Sequence, residues 1–142
     1  MREPLADKAL VEQARQARER AYAGYSHFPV GAALLGRSGR VYTGCNVENA
    51  SYPLTICAER AAVFKAVSEG EREFEAIAVV TDTGAMPCGA CRQVLREFGG
   101  TDGDLRVIVA DLQDHTRTFT IDELLPGGFT PDQLGDREAD SA

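Results

Sequence analysis

A chain of 142 residues, 44% hydrophobic and 26% charged, has the size and composition of one soluble globular domain with a single substantial core. Its formal net charge of −7 argues against a polyanionic partner, because nucleic-acid affinity comes largely from Lys and Arg neutralising phosphates. No apolar run approaches the roughly 18 residues of a membrane span, and Met1-Arg2-Glu3-Pro4 lacks a signal-peptide core, so the expected compartment is cytoplasmic, with neither membrane nor nucleic acid as partner.

From Leu5 to Ala23 the apolar positions Leu10, Val11, Ala14, Ala17 and Ala21 fall three and four apart among charged residues, which predicts an amphipathic helix. Arg15, Arg18 and Arg20 are interleaved with Glu12 and Glu19, a solvated face rather than a basic groove. Tyr25 to Pro29 breaks the period. Val30 to Leu35 and Arg40 to Val47, separated by Gly36-Arg37-Ser38-Gly39, then predict a β-hairpin. Asn49 to Ile56 reads as a loop, Cys57 to Ser68 as a helix stopping at Gly70, and Phe74 to Thr81 as a buried strand.

After a loop over 82–86, Pro87 marks the start of a helix over Cys88 to Phe98, closed by Gly99-Gly100. Leu105 to Asp111 is a second buried strand and Arg117 to Ile121 an edge strand, followed by a short helical segment at Asp122 to Leu125. Beyond Leu134 the chain turns polar, and about 135–142 is read as a frayed tail on a single domain spanning 1–142. Strands alternating with helices imply an α/β domain: a mixed sheet of about five strands with helices on both faces, three layers in all.

The chemistry concentrates in Cys57-Ala58-Glu59-Arg60 and Pro87-Cys88-Gly89-Ala90-Cys91. A catalytic zinc site takes three protein ligands and leaves a fourth position to water, and Cys57, Cys88 and Cys91 make that count. A ligand-x-Glu followed by Pro-Cys-x-x-Cys matches the signature of zinc-dependent base and nucleoside deaminases. Cys88 and Cys91 lie three apart in the first turn of a helix, on one face, and Cys57 comes from the start of another. Unpaired N–H groups at both helix starts favour thiolates there.

Three thiolates and one Zn²⁺ leave a net charge of −1, so a nearby cation is wanted. Arg60 can donate to the thiolates, or is an ordinary surface arginine of its helix. Glu59, two residues along from Cys57, projects over the open position, where it can take a proton from water and return it to substrate. Alone, it would read as a carboxylate favouring a helix N-terminus. Cys45 lies twelve residues before Cys57, outside the close pairing of structural zinc ligands, and is read as a small buried strand residue; a closed Cys₄ zinc is the competing possibility. His27 and His115 lack ligand spacing. Asn46 and Glu48 share a face of a strand end and suit vicinal sugar hydroxyls, while Phe28 can stack on a base; without the metal motif they would be a strand terminus and a core aromatic.

These stretches closely resemble the small homotetrameric cytidine deaminases. The matching residues run through Tyr22-Ala23-Gly24-Tyr25-Ser26-His27-Phe28-Pro29-Val30-Gly31-Ala32-Ala33, Gly44-Cys45-Asn46-Val47-Glu48-Asn49-Ala50-Ser51-Tyr52-Pro53, Cys57 to Arg60, Pro87 to Gln93, and Glu123-Leu124-Leu125-Pro126. The resemblance implies a cytidine deaminase-like fold and hydrolysis of cytidine and 2′-deoxycytidine to uridine and 2′-deoxyuridine in pyrimidine salvage. It implies one zinc per chain on Cys57, Cys88 and Cys91, and Glu59 as proton shuttle. It further implies Asn46 and Glu48 on the ribose 3′-hydroxyl, the Ala58 backbone against the base, Phe28 stacked on it, and Arg60 tempering the thiolates. In such tetramers neighbouring subunits help close each site, which makes Tyr52 and Phe129 candidates for contacts across an interface.

A blasticidin-type antibiotic nucleoside deaminase shares the zinc motif, but the Asn46/Glu48 pair favours plain nucleosides. Polynucleotide deamination is disfavoured by the acidic balance and the short chain. Outside this chemistry stand a non-enzymatic zinc-stabilised module and a redox dithiol at Cys88 and Cys91.

Overall fold

The computed structural model describes residues 4–135, so the tail expected at 135–142 lies almost wholly outside the described residues. In chain order the elements are α1 (Pro4–Arg18), β1 (Gly31–Gly36), β2 (Val41–Cys45), α2 (Ala58–Ser68), β3 (Phe74–Val80), α3 (Gly89–Glu97), β4 (Arg106–Ala110), β5 (Thr116–Thr120) and α4 (Ile121–Leu124). Two single 3₁₀ turns, Tyr52–Leu54 and Pro131–Leu134, were not predicted; a proline stands in the first turn of each.

The five strands form one mixed sheet in the order β2-β1-β3-β4-β5, antiparallel except for β3 beside β4. α3 is the crossover between that parallel pair, as parallel strands require. Side chains alternate between two cores. On one face Ala32, Leu34, Ile77, Val79, Val107 and Val109 pack under α2, α3 and α4 through Ala62, Val63, Ala66, Leu95 and Ile121. On the other, Ala33, Ala76, Ala78, Val80, Ile108 and Ala110 receive Leu10, Val11 and Ala14 of α1. The expected three layers are present.

The small residues on the second face let α1 lie close. At Gly31 a Cβ would stand 2.0 Å from the Ala14 carbonyl oxygen, so only glycine fits there. Arg106 of β4 donates two bonds to the Asp7 carboxylate, at 2.8 and 3.0 Å, tying the helix to the sheet.

α1 ends five residues before the predicted Ala23. The Tyr22 N–H donates to the Asn46 carbonyl at 2.9 Å and the Glu48 N–H to the Tyr22 carbonyl at 2.8 Å, so this stretch pairs with the chain leaving β2 instead of continuing the helix. The apolar period persists through Ala21, but the local hydrogen-bond partners differ. β2 likewise stops at Cys45 rather than Val47, because Val47 pairs with Tyr22 and Ile56 instead of with β1.

Candidate active site

Strand register decides where the site lies. Gly31 pairs with Cys45 on one side and with Val80 on the other. The residues before β1, after β2 and after β3 therefore meet at one end of the sheet, where α3 also begins. A cavity of about 240 Å³ opens there, lined by Phe28, Val30, Asn46, Glu48, Cys57, Ala58, Glu59 and Thr81 among others. Crevices at the carboxyl ends of parallel strands are common ligand sites in α/β sheets.

Cys57 and Cys88 are the N-cap residues of α2 and α3, with extended backbone at both. The Cys91 N–H donates to the Cys88 sulfur at 3.5 Å, so a free amide of the first turn already faces that sulfur. Tetrahedral zinc with Zn–S bonds of about 2.3 Å needs sulfurs about 3.8 Å apart. The Cys57 and Cys88 sulfurs are 3.9 Å apart, and all three ligand sulfurs lie within 4.8 Å of one another. The donor set fits a zinc ion in spacing and in chemistry. Among the described residues no other group of His, Cys, Asp and Glu converges in this way, and Cys45 stands apart, its thiol directed to the Arg20 carbonyl at 3.4 Å. Cys45 is half-buried rather than fully buried.

Arg60 donates from Nη2 to the Cys57 sulfur at 3.1 Å, as one helical turn of separation allows. Its Nε–H is buried without a partner, leaving a donor in hand beside a cluster that becomes anionic when it holds metal. The surroundings of Cys57 favour its thiolate. The Cys91 thiol donates to it, and Arg60 both bonds it and opposes its charge, which lowers the Cys57 thiol to about 5. Cys91, giving its hydrogen to that sulfur and buried, is pushed far up.

Glu59 is 5% exposed, and burial, reinforced by the Cys57 charge, raises its carboxyl to about 7. Its placement depends on the close seating of α2 on β2 at Gly44. A Cβ on that residue would come within 2.6 Å of both the Ala58 carbonyl oxygen and the Ala62 nitrogen. The absence of a side chain there sets the height of Cys57, Ala58 and Glu59 over the sheet.

Asn46 and Glu48 are buried, and both hold the segment that carries Phe28. Asn46 Oδ1 accepts the Val30 N–H and its Nδ2 donates to the Phe28 carbonyl, each at 2.9 Å, which fixes the orientation of the amide. Glu48 Oε1 accepts the Tyr25 and Ser26 N–H groups at 3.0 Å, and Oε2 accepts the Ser26 hydroxyl. These bonds, that of the hydroxyl first, hold the Glu48 carboxyl below its ordinary range, so it is a carboxylate at neutral pH.

Of the residues singled out from sequence, Phe28, Asn46, Glu48, Tyr52, Cys57, Ala58 and Glu59 line this cavity, with Arg60 bonded behind it. Phe129 does not line it within its own chain; it is 53% exposed, and its carbonyl accepts from Gln93 at 2.9 Å. Sequence reasoning missed Ser26, Thr55, Thr81 and Met86 as lining residues. Ser26 stands two residues from Phe28, the nearest thing to a signal.

A family model described as the cytidine and deoxycytidylate deaminase zinc-binding region matches residues 5–105. The cytidine deaminase of Halalkalibacterium halodurans is 54% identical over 129 residues, covering 89% of this chain and 96% of that protein. The cytidine deaminase of Sporosarcina psychrophila is 50% identical over 127 residues, covering 88% and 92%. The crystal structure of cytidine deaminase from Burkholderia pseudomallei superposes with a TM-score of 0.82 at 51% identity, covering 86% of this chain and 98% of that one. A cysteine trio at zinc spacing, a buried glutamate two residues from the first ligand, and similarity over nearly the whole length of these relatives lead to one conclusion: the chain belongs to the zinc-dependent cytidine and deoxycytidylate deaminase family.

Proposed function

We propose that the chain catalyses hydrolysis of cytidine and 2′-deoxycytidine to uridine and 2′-deoxyuridine, releasing ammonia. The observation that carries the reading is the meeting, in one cavity, of Glu59 and Cys57 with Asn46 and Glu48. One set suits proton transfer beside a metal, and the other suits a sugar. The relatives from Sporosarcina psychrophila and Halalkalibacterium halodurans bear the name of that activity.

Cys57, Cys88 and Cys91 hold the zinc, which when bound supplies the positive charge that makes a water acidic near neutral pH. Glu59, buried at the cavity wall, accepts a proton from water as its oxygen attacks C4 of the base. It gives that proton to N3, then takes the remaining proton from the new C4 hydroxyl and hands it to the departing amine, so the C4–N bond breaks as the C4 carbonyl forms. Arg60 keeps electron density on Cys57 in check through its hydrogen bond. Phe28 offers its ring to the base and Ala58 its backbone.

Hydrogen-bond capacity sharpens the sugar contact. Asn46 has one amide hydrogen and one lone pair left after its bonds to Phe28 and Val30, and Glu48 has one lone pair left after its bonds to Tyr25 and Ser26. One hydroxyl that donates to Glu48 and accepts from Asn46 uses two of these three places, as a 3′-hydroxyl shared by both nucleosides would, and the Asn46 lone pair stays open to a further donor.

The finer reading extends to assembly as a homotetramer in the cytoplasm, where thiolate ligands stay reduced. Tyr52, Leu54 and Phe129 are more than half exposed, and such apolar surface favours burial against a neighbour. The test of function follows cytidine and 2′-deoxycytidine by ultraviolet absorbance, with and without a chelator. Conversion of both, abolished by chelation and restored by zinc, is expected. Turnover of an antibiotic nucleoside but of neither plain nucleoside would overturn the substrate assignment.

A further inference from the structure

Three of the roughly four lone-pair directions of the Glu48 carboxylate are filled by its own chain, and Ser26 fills two of them. The backbone bonds from Tyr25 and Ser26 both reach Oε1. Only the Ser26 hydroxyl holds Oε2, the oxygen with capacity left for a guest. The same hydroxyl oxygen accepts the Phe28 N–H at 3.1 Å. One side chain therefore joins the rotation of the carboxylate to the position of the residue whose ring walls the cavity. The geometry is local: Ser26 lines the cavity beside Glu48 and Phe28, whereas Glu59 belongs to α2 and Cys57 caps that helix.

We propose that Ser26 is a positioning residue for the nucleoside, acting through Glu48. Its hydroxyl locks the carboxylate so that a single lone pair of Oε2 is presented to one sugar hydroxyl. The inference rests on the reading of Glu48 as the sugar contact. Without the hydroxyl, Oε1 keeps both backbone bonds and the carboxylate stays charged, but the rotation of Oε2 is no longer set. Binding of a nucleoside bearing the hydroxyl then weakens, while chemistry at Glu59 is left as it was.

The test compares KM and kcat for cytidine and for 3′-deoxycytidine in the wild-type chain, Ser26→Ala and Ser26→Thr. Wild type should discriminate against 3′-deoxycytidine. Ser26→Ala should raise KM for cytidine by about tenfold, the scale of one hydrogen bond to a charged group, with kcat and the KM for 3′-deoxycytidine changed by less than about twofold. Ser26→Thr keeps the hydroxyl, and its methyl has solvent beside an exposed position, so discrimination should return. The ratio between two substrates is measured within one variant, so partial unfolding cannot imitate its collapse. If Ser26→Ala keeps the wild-type ratio, or raises both KM values equally, Ser26 is structural and the proposal fails. If wild type itself does not discriminate, the reading of Glu48 fails first and takes this inference with it.

Discussion

Glu48 and Glu71 stand at opposite ends of the β1–β2 hairpin and are bonded alike, yet only one of them faces a cavity suited to a guest. Each accepts both the backbone N–H and the hydroxyl of one serine: Ser26 for Glu48, Ser38 for Glu71. Both carboxyls are held below their ordinary value, chiefly by that hydroxyl. At Glu71 the Tyr42 hydroxyl adds a further bond at 3.1 Å, and the surrounding cleft is lined by Arg37, Arg40, Glu69, Arg72 and Glu73. The charge of Arg40 also favours this carboxylate. At Glu48 the neighbouring wall is mixed, with Val30, Ile56, Val79 and Met86 beside Asn46, Thr55 and Thr81 and no arginine among them. The same bonding serves as a clasp at one end and as a binding element at the other. What differs is the surroundings of the unused oxygen, which local sequence does not display.

Removing each carboxylate should separate the two roles. Glu48→Ala should raise KM for cytidine by about 10- to 100-fold, the range for a lost hydrogen bond to a charged group. Free cytosine, which has no sugar, should be affected far less; equal effects on both would erase the distinction between the two ends.

A steric change at the site end should act without touching its polar contacts. Gly44→Ala drives a methyl into the α2 backbone and should cost about 1–3 kcal/mol of stability, as overpacking does. Because α2 carries Glu59, kcat should also fall; a destabilised variant of normal kcat would mean that the seating of α2 does not position the glutamate.

Glu71→Gln should lower the melting temperature and leave KM and kcat at wild-type values. The pH dependence has a definite sign. The folded pKa of Glu71 lies below its ordinary 4.5, so its contribution is full above that pH and is lost as pH falls through the lowered value. Melting curves of wild type and Glu71→Gln should therefore converge in acid, whereas a gap that widens there would reverse the assignment. The smallest effect is expected at Cys45→Ser: unchanged zinc content and turnover, since its thiol donates to the Arg20 carbonyl and stands outside the cysteine trio. Metal loss would revive the Cys₄ alternative.

Elements and metal ligands were legible in the sequence because their signals are local. Period-four spacing marked α1, glycines bounded the hairpin, and Cys-x-Glu with Pro-Cys-x-x-Cys named a metal centre. The endings of α1 and β2 were not legible. They are settled by Tyr22 pairing with Asn46 and Glu48, partners more than twenty residues away in sequence. Ser26, Thr81 and Met86 carried no pattern of their own; strand register brings them to the cavity. Asn46 and Glu48 were found as a pair, but their engagement with the 25–30 segment needed hydrogen bonds in three dimensions.

The central claim is that the cysteines hold the metal while Glu59 moves the protons. It is tested most directly by measuring zinc content and cytidine turnover on the same preparations of wild type and Glu59→Gln. The account predicts one zinc per chain in both, with turnover in the variant down by at least ~10²–10⁴-fold, the usual worth of general acid–base catalysis. Turnover retained in Glu59→Gln at full zinc content would contradict it.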